Sequence, residues 1–404
     1  MKIKIAIIFS FLISASFSQS LTFKEILETG KYEIKKEHDS IDYKNAIEIL
    51  QKAVWLRPND QEAHYFLGYA YSRLNSKNGL TIPGVKFELT LKSSHEFEEV
   101  IKINPKYKGE VLVLDPYSKI TSEWGTLALS FLSKNKKDSA IFAFTEGKKR
   151  GGFSDFMLSN TSNMLHSCDS NSVIFLTGDI TTFALLYNQC INQKRNDISV
   201  VNLDLLSTIW YPSYLNQKNQ LLLTMTDTMR DTVDYCNWKD TTISIGDFSW
   251  EVKPSYLGEY ILRGDRILLS FLSQNNFKKT LYFANGADPD RTLGLEKHFE
   301  HMVYLERLNF DNKPEMDYDT YKLRIKEALD LVKKSDLNRF TEDIFLDYLG
   351  YAIIYKAYSL MGTDKIKETK EMLKLMERFK GESNYPISES WKQTLDYIKN
   401  SIKK

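Results

Sequence analysis

Apolar residues along the first third of the chain recur at helical spacing. In DYKNAIEILQKAVWLRPND, Ala46, Leu50, Ala53 and Pro58 are spaced four, three and five apart. The first three share one helical face, and the proline falls just past the helix end. AHYFLGYAY follows with Leu67, Gly68 and Tyr71 on one face. SSHEFEEVIKINP repeats the four-three-five spacing as Ser93, Phe97, Val100 and Pro105. In SEWGTLALSFLSKNKKDSAIFAFTEG the apolar face reads Trp124, Leu127, Ala128 and Phe131, then Ala140, Phe144 and Gly147. Small residues on each face let a neighbouring helix approach closely. Near residue 170 the period changes. VIFLTG is a continuous apolar run of strand length, ITTFALLYNQCINQ has helical spacing, and DISVVNLDLL is a second buried strand. TTISIGDFSWEVKP alternates as a hairpin or an edge strand does. RGDRILLSFLSQNNF reads as a helix with Asp265 at its N-cap and Asn275-Asn276 at its end, and KKTLYFANGADPD as a third buried strand. Residues 317–404 return to helical spacing, with a hairpin turning at Gly362.

The three N-terminal blocks resemble the tetratricopeptide repeat, with its W-x2-L-G-x2-Y, A-x3-F-x2-A and terminal proline. In that resemblance Ala46, Leu50, Ala53, Leu67, Gly68, Tyr71, Trp124, Leu127, Ala140 and Phe144 pack the helices. The second copy carries an insertion between Gly68 and Ser93, covering NSKNGLTIPG, which is expected to form a lip. The expected fold is α/β plus all-α: a tetratricopeptide-like helical array at 19–155, a small parallel α/β module at 168–310 and C-terminal helical hairpins at 317–404. Strands alternating with helices imply the parallel sheet.

MKIKIAIIFSFLISASFSQS reads as a secretory signal at 1–18. Lys2 and Lys4 precede an apolar stretch from Ile5 to Ile13, and small residues place the cut before Gln19. The apolar stretch is too short to span a bilayer, and no later segment is long enough. The expected location is exported, periplasmic or extracellular. Lys and Arg number 54 against 53 Asp and Glu, a balance that gives nucleic acid or anionic lipid no basic face to grip. Three cysteines, Cys168, Cys190 and Cys236, are too few for a disulfide framework and are expected to be buried and unpaired.

The middle segment carries a second resemblance. ILRGDRILLSFLSQNNFKKTLYFANGADPDRTLGLEKHFEHMVYLERL is similar to the soluble C-terminal part of a bacterial membrane family of unknown function, related to transmembrane protein O-mannosyltransferases. That family reads K-x-D-x-x-x-L-D-I-I-x-x-N-x-W-x-R-P-I-Y-F-A and then L-G-L-E-x-Y. VIFLTGDITTF is similar to its N-G-D-N-D-T-F-P-L-W-Y, and DISVVNLDLLSTIWY to its V-R-V-V-N-L-S-L-L-N-T-x-W-Y. Thr177, Thr181, Ala184 and Lys279-Thr280 depart from the family residues, and the membrane-embedded transferase core has no counterpart here. The resemblance implies a soluble module without the transferase reaction.

Candidate chemistry lies where parallel strands end. Gly178 and Asp179, Asn202 and Asp204, and Asn285 and Gly286 follow the three strands, at the edge where open α/β sheets bind ligands. Asp179, Asn202, Asp204 and Asn285 are the candidate ligand contacts for a sugar or peptide. The competing and preferred reading makes Asp179 a helix cap and the asparagines turn ties. His298 and His301 are spaced for one helix face but lack a third ligand, so no metal site and no cofactor is expected. No hydrolase, P-loop or zinc-protease motif occurs. Of three functional readings, the leading one is a non-catalytic scaffold binding a protein or peptide through the repeats. The second is an accessory of extracytoplasmic protein glycosylation that recognises glycan or acceptor through the α/β module. The third is an enzyme using Asp179. A deep hollow at the sheet edge with an acid of perturbed pKa separates the enzyme reading from the scaffold.

Overall fold

The computed structural model describes residues 22–36, 41–77, 79–285, 289–310, 315–335, 337, 340–361 and 363–402. The signal segment, Gly286 and Gly362 lie outside them. Six helices come first: α1 (Phe23–Lys35), α2 (Tyr43–Leu56), α3 (Gln61–Ser76), α4 (Phe87–Ile103), α5 (Pro116–Ser133) and α6 (Lys137–Lys149). Asp42, Asp60 and Asp115 start α2, α3 and α5, each carboxylate accepting from two backbone N–H groups of the first turn. Each helix packs on the next, so the six form a continuous array. Ala46, Leu50, Ala53, Leu67, Gly68, Tyr71, Trp124, Leu127, Ala140 and Phe144 are all buried within it.

After α7 (Asp155–His166) the chain forms β1 (Val173–Leu176), α8 (Asp179–Cys190) and β2 (Ser199–Asn202). It continues through α9 (Trp210–Gln217), α10 (Asp227–Thr232), β3 (Cys236–Asn237), the antiparallel hairpin β4 (Thr241–Ile245) and β5 (Phe248–Val252), β6 (Tyr260–Ile261) and α11 (Arg263–Asn275). Next come β7 (Leu281–Ala284), β8 (Phe299–His301) and β9 (Leu305–Leu308), then α12 (Tyr318–Lys334), α13 (Phe340–Met361), α14 (Ile366–Ser383) and α15 (Glu389–Ser401). The main sheet has the order β2-β1-β7-β9-β8. β1 pairs in parallel with both β2 and β7, and Leu176 stands opposite Asn202. Every residue of these three strands is buried, which is why their sequences are continuous apolar runs.

The sheet is mixed, because β9 and β8 extend it antiparallel to β7. His298 and His301 therefore lie on a short 3-10 turn and a strand, where helical spacing was expected. Pairing to an existing sheet edge overrode the local pattern. Asp265 is not the N-cap of α11. Leu262 holds that position, and the Asp265 carboxylate accepts from its N–H at 2.8 Å. The cysteines are unpaired, but only Cys168 is buried; Cys190 and Cys236 are half-buried. Part of the inserted NSKNGLTIPG prolongs α3, and the remainder folds back through a turn at Ile82–Gly84.

The array and the module meet at α5. This helix touches α4 and α6 on its own side, α8 from the module and α13 from the C-terminal helices. It is buried continuously from Ser118 to Ser130. The crossing with α8 is tight because residue 125 is glycine. A Cβ there would overlap the ring of Phe183, itself buried. We predict that Gly125→Ala lowers stability by about 1–3 kcal/mol despite alanine's better helix propensity, because overpacking outweighs it. Urea unfolding checks this, and adding Phe183→Leu should recover part of the loss.

Candidate functional site

β1 ends in Thr177-Gly178, and α8 begins at Asp179. Gly178 has a φ of 75°, a conformation that favours glycine, and turns the chain sharply from strand to helix. Two groups at the end of β2 and just past it hold this turn. The Asp204 carboxylate accepts from the Gly178 N–H at 2.8 Å. The Asn202 amide donates to the Gly178 carbonyl at 3.0 Å and to the Thr182 hydroxyl at 2.9 Å, while its Oδ1 accepts from the Leu205 N–H. Asn202 thus ties the turn.

Asp179 is not a cap. Gly178 occupies the N-cap position of α8, and no side chain caps that helix. The Asp179 carboxylate turns instead toward the array and accepts a hydrogen bond from the Ser122 hydroxyl of α5 at 2.5 Å. One helical step from Ser122, Lys119 and Glu123 form a buried ion pair at 3.0 Å, and Lys119 also donates to Ser72 of α3 at 2.7 Å. Tyr69 of α3 lies within cation–π reach of Lys119 and of Arg73, whose Nε donates to the Tyr69 hydroxyl.

These groups enclose a hollow of about 200 Å³ between α3, α5 and the carboxyl ends of β1 and β2. Asp179, Asn202 and Asp204 all line it. Its lining includes Gly79 and Ile82 from the inserted segment. Burial pushes the Asp179 carboxyl above its ordinary range. Glu123 and Asp204 add to that push, while the Ser122 hydrogen bond and the Lys119 charge oppose it. Carboxyls, hydroxyls and two cations in one partly enclosed space can bind hydroxyl groups or hold a proton.

Asn285 does not join this group. It follows β7 and lines a separate hollow with residues of β9 and α13. Thr181, which replaces an acid of the similar family, is buried beside Tyr348 of α13. Sequence reasoning missed Lys119, Ser122, Glu123 and Thr126. A signal existed: the four recur at i, i+3, i+4 and i+7, a polar stripe along one face of a helix that also carries Trp124, Leu127 and Ala128. Among the described residues no His, Cys, Asp or Glu group is arranged to hold a metal ion, and no helix is long and apolar enough to cross a membrane.

A family model described as TMEM260-associated domain 2 matches residues 157–221. The match runs from α7 through β1, α8 and β2 to just past α9, and so contains Asp179, Asn202 and Asp204. It links this segment to the TMEM260 family and loosely to a glycosylation-related setting. Comparison with curated proteins gives no match.

An acid whose pKa is raised on folding keeps its proton longer in the native state than in the unfolded one. Stability therefore falls as pH rises from the unfolded value through the folded one. We predict that Asp179 costs this chain stability across that window. Asp179→Asn retains an acceptor for Ser122 without the charge and should escape that part of the loss. Urea unfolding of both proteins between about pH 4 and 8 checks this; parallel stability curves would mean that Asp179 ionises freely.

Proposed function

We propose that this chain recognises a small polyhydroxylated ligand, a saccharide unit or the saccharide-bearing part of an acceptor, in the hollow where the array meets the sheet edge. It would act as an accessory of protein glycosylation outside the cytoplasm. The observation that carries the reading is the Asp179 carboxyl, withdrawn from its own helix, bonded to Ser122 of the array and raised in pKa by burial. A stability role alone gives little reason to enclose an acid beside the Lys119–Glu123 pair, because desolvating charge costs more than a well-packed apolar contact. Hydroxyl groups both donate and accept, and the hollow offers acceptors at Asp179 and Asp204 with donors at Lys119 and Arg73. At about 200 Å³ it is smaller than the usual 300–1,000 Å³ of drug-sized sites, which suits a single ring. The TMEM260-associated match over the same strand-helix-strand unit supports the setting.

Three further readings accompany this one. The six-helix array is tetratricopeptide-like, with α1–α2, α3–α4 and α5–α6 as its pairs. The chain divides at 19–155, 168–310 and 317–404. Residues 1–18 direct export, with cleavage before Gln19. A second functional reading keeps the array as a scaffold for a protein or peptide. It is favoured by α1 and α2, which expose Tyr32 and Trp55, the latter 79% exposed. The burial of α5 leaves that reading the outer end of the array rather than its middle.

Titration calorimetry of the full chain with mannose, glucose and N-acetylglucosamine tests the proposal. Saturable binding of at least one is expected, weakened about tenfold or more in Asp179→Asn and Ser122→Ala. Failure of every sugar to bind, together with capture of a protein partner that Asp179→Asn leaves unaffected, would return the scaffold reading.

A further inference from the structure

The second hollow, of about 520 Å³, opens at the carboxyl end of β7 between β9 and α13. Its polar lining is unusual in sign. Glu296, Glu306 and Asp347 face it, and no described lining residue is a lysine or arginine. Its one basic side chain, His301, is engaged by Glu306 at 2.6 Å and packs against the Tyr355 ring. Two buried acceptors belonging to lining residues have no hydrogen-bond donor. Asn285 is 3% exposed; its amide nitrogen donates to the Val303 carbonyl at 3.0 Å, and its Oδ1 has no partner. Glu306 is 8% exposed, and its Oε2 also has none. Buried acceptors of this kind are costly unless something supplies a proton to them.

A carboxylate, a carboxamide oxygen and aromatic walls call for a donor-rich cation. An ammonium group brings three N–H donors and no acceptor. Tyr348, Tyr351 and Phe299 provide rings for cation–π contact and for an apolar body behind the charge. A neutral polyol would also bring acceptor lone pairs, and the lining has few donors left for them. Thr292 already donates to Glu296 at 2.8 Å, and His301 faces Glu306. Asp347 is exposed; partial desolvation raises its carboxyl above the ordinary range while a hydrogen bond from the Tyr385 hydroxyl at 3.3 Å opposes this, and an arriving cation would favour its charged form. We infer that this hollow binds a primary ammonium group carried on a flat or apolar body, independently of the ligand at Asp179.

Benzylamine and benzyl alcohol share a body and differ in that charge. Titrated into the full chain near neutral pH, benzylamine should bind saturably and the alcohol about tenfold or more weakly. Glu306→Gln should remove most of that difference, and Asp347→Asn, which leaves the His301 contact intact, should reduce it. Asp179→Asn should leave benzylamine binding unchanged, which separates this site from the first. Equal binding of the two compounds, amine binding indifferent to both acid variants, or no saturable amine binding up to about 10 mM would each overturn the inference.

Discussion

α8 can lie on α5 only because residue 125 has no side chain. That close approach sets Phe183 into the array and brings the start of α8 over the polar stripe of α5. The arrangement beside β1 and β2 depends on it. Asp179 meets Ser122 because the two helices cross there, and the stripe of Lys119, Ser122, Glu123 and Thr126 lines the hollow beside it. A fully buried phenylalanine contributes about 1.5–3 kcal/mol, enough to fix the crossing against the cost of enclosing charge nearby.

The two hollows divide the carboxyl edge of one sheet into chemically different halves. Beside β1 and β2 the lining mixes carboxyls with Lys119 and Arg73, and Lys119 is paired with Glu123. Beside β7 the lining is acidic and aromatic, and two acceptors go without donors. The difference follows from what roofs each half. α3 and α5 of the array bring basic and hydroxyl side chains, whereas α13 and the β8–β9 hairpin bring acids and rings. One module thus presents two surfaces because two different helical layers cover it.

Local pattern was a good guide wherever burial was complete. β1, β2 and β7 read as apolar runs because both faces are covered, and the array helices read at helical spacing because one face packs on a neighbour. It misled where a choice depended on a distant partner. LEKHFEHMVYLERL has residues spaced for a helix, yet it forms a turn and a hairpin because β7 offers an unpaired edge. Asp179 has the residue type and position of a cap, yet its carboxylate finds a buried hydroxyl on a helix 57 residues earlier.

By itself the sequence determined the helical array, the parallel core of the sheet and the edge at which Asp179, Asn202 and Asp204 gather. Those follow from periodicity and strand direction, which are properties of neighbouring residues. Only the tertiary structure decided that Asp179 faces Ser122, that Asn285 belongs to another hollow and that α5 is enclosed. These depend on which helix lies across the sheet edge, and steric fit between elements far apart in the chain settles that.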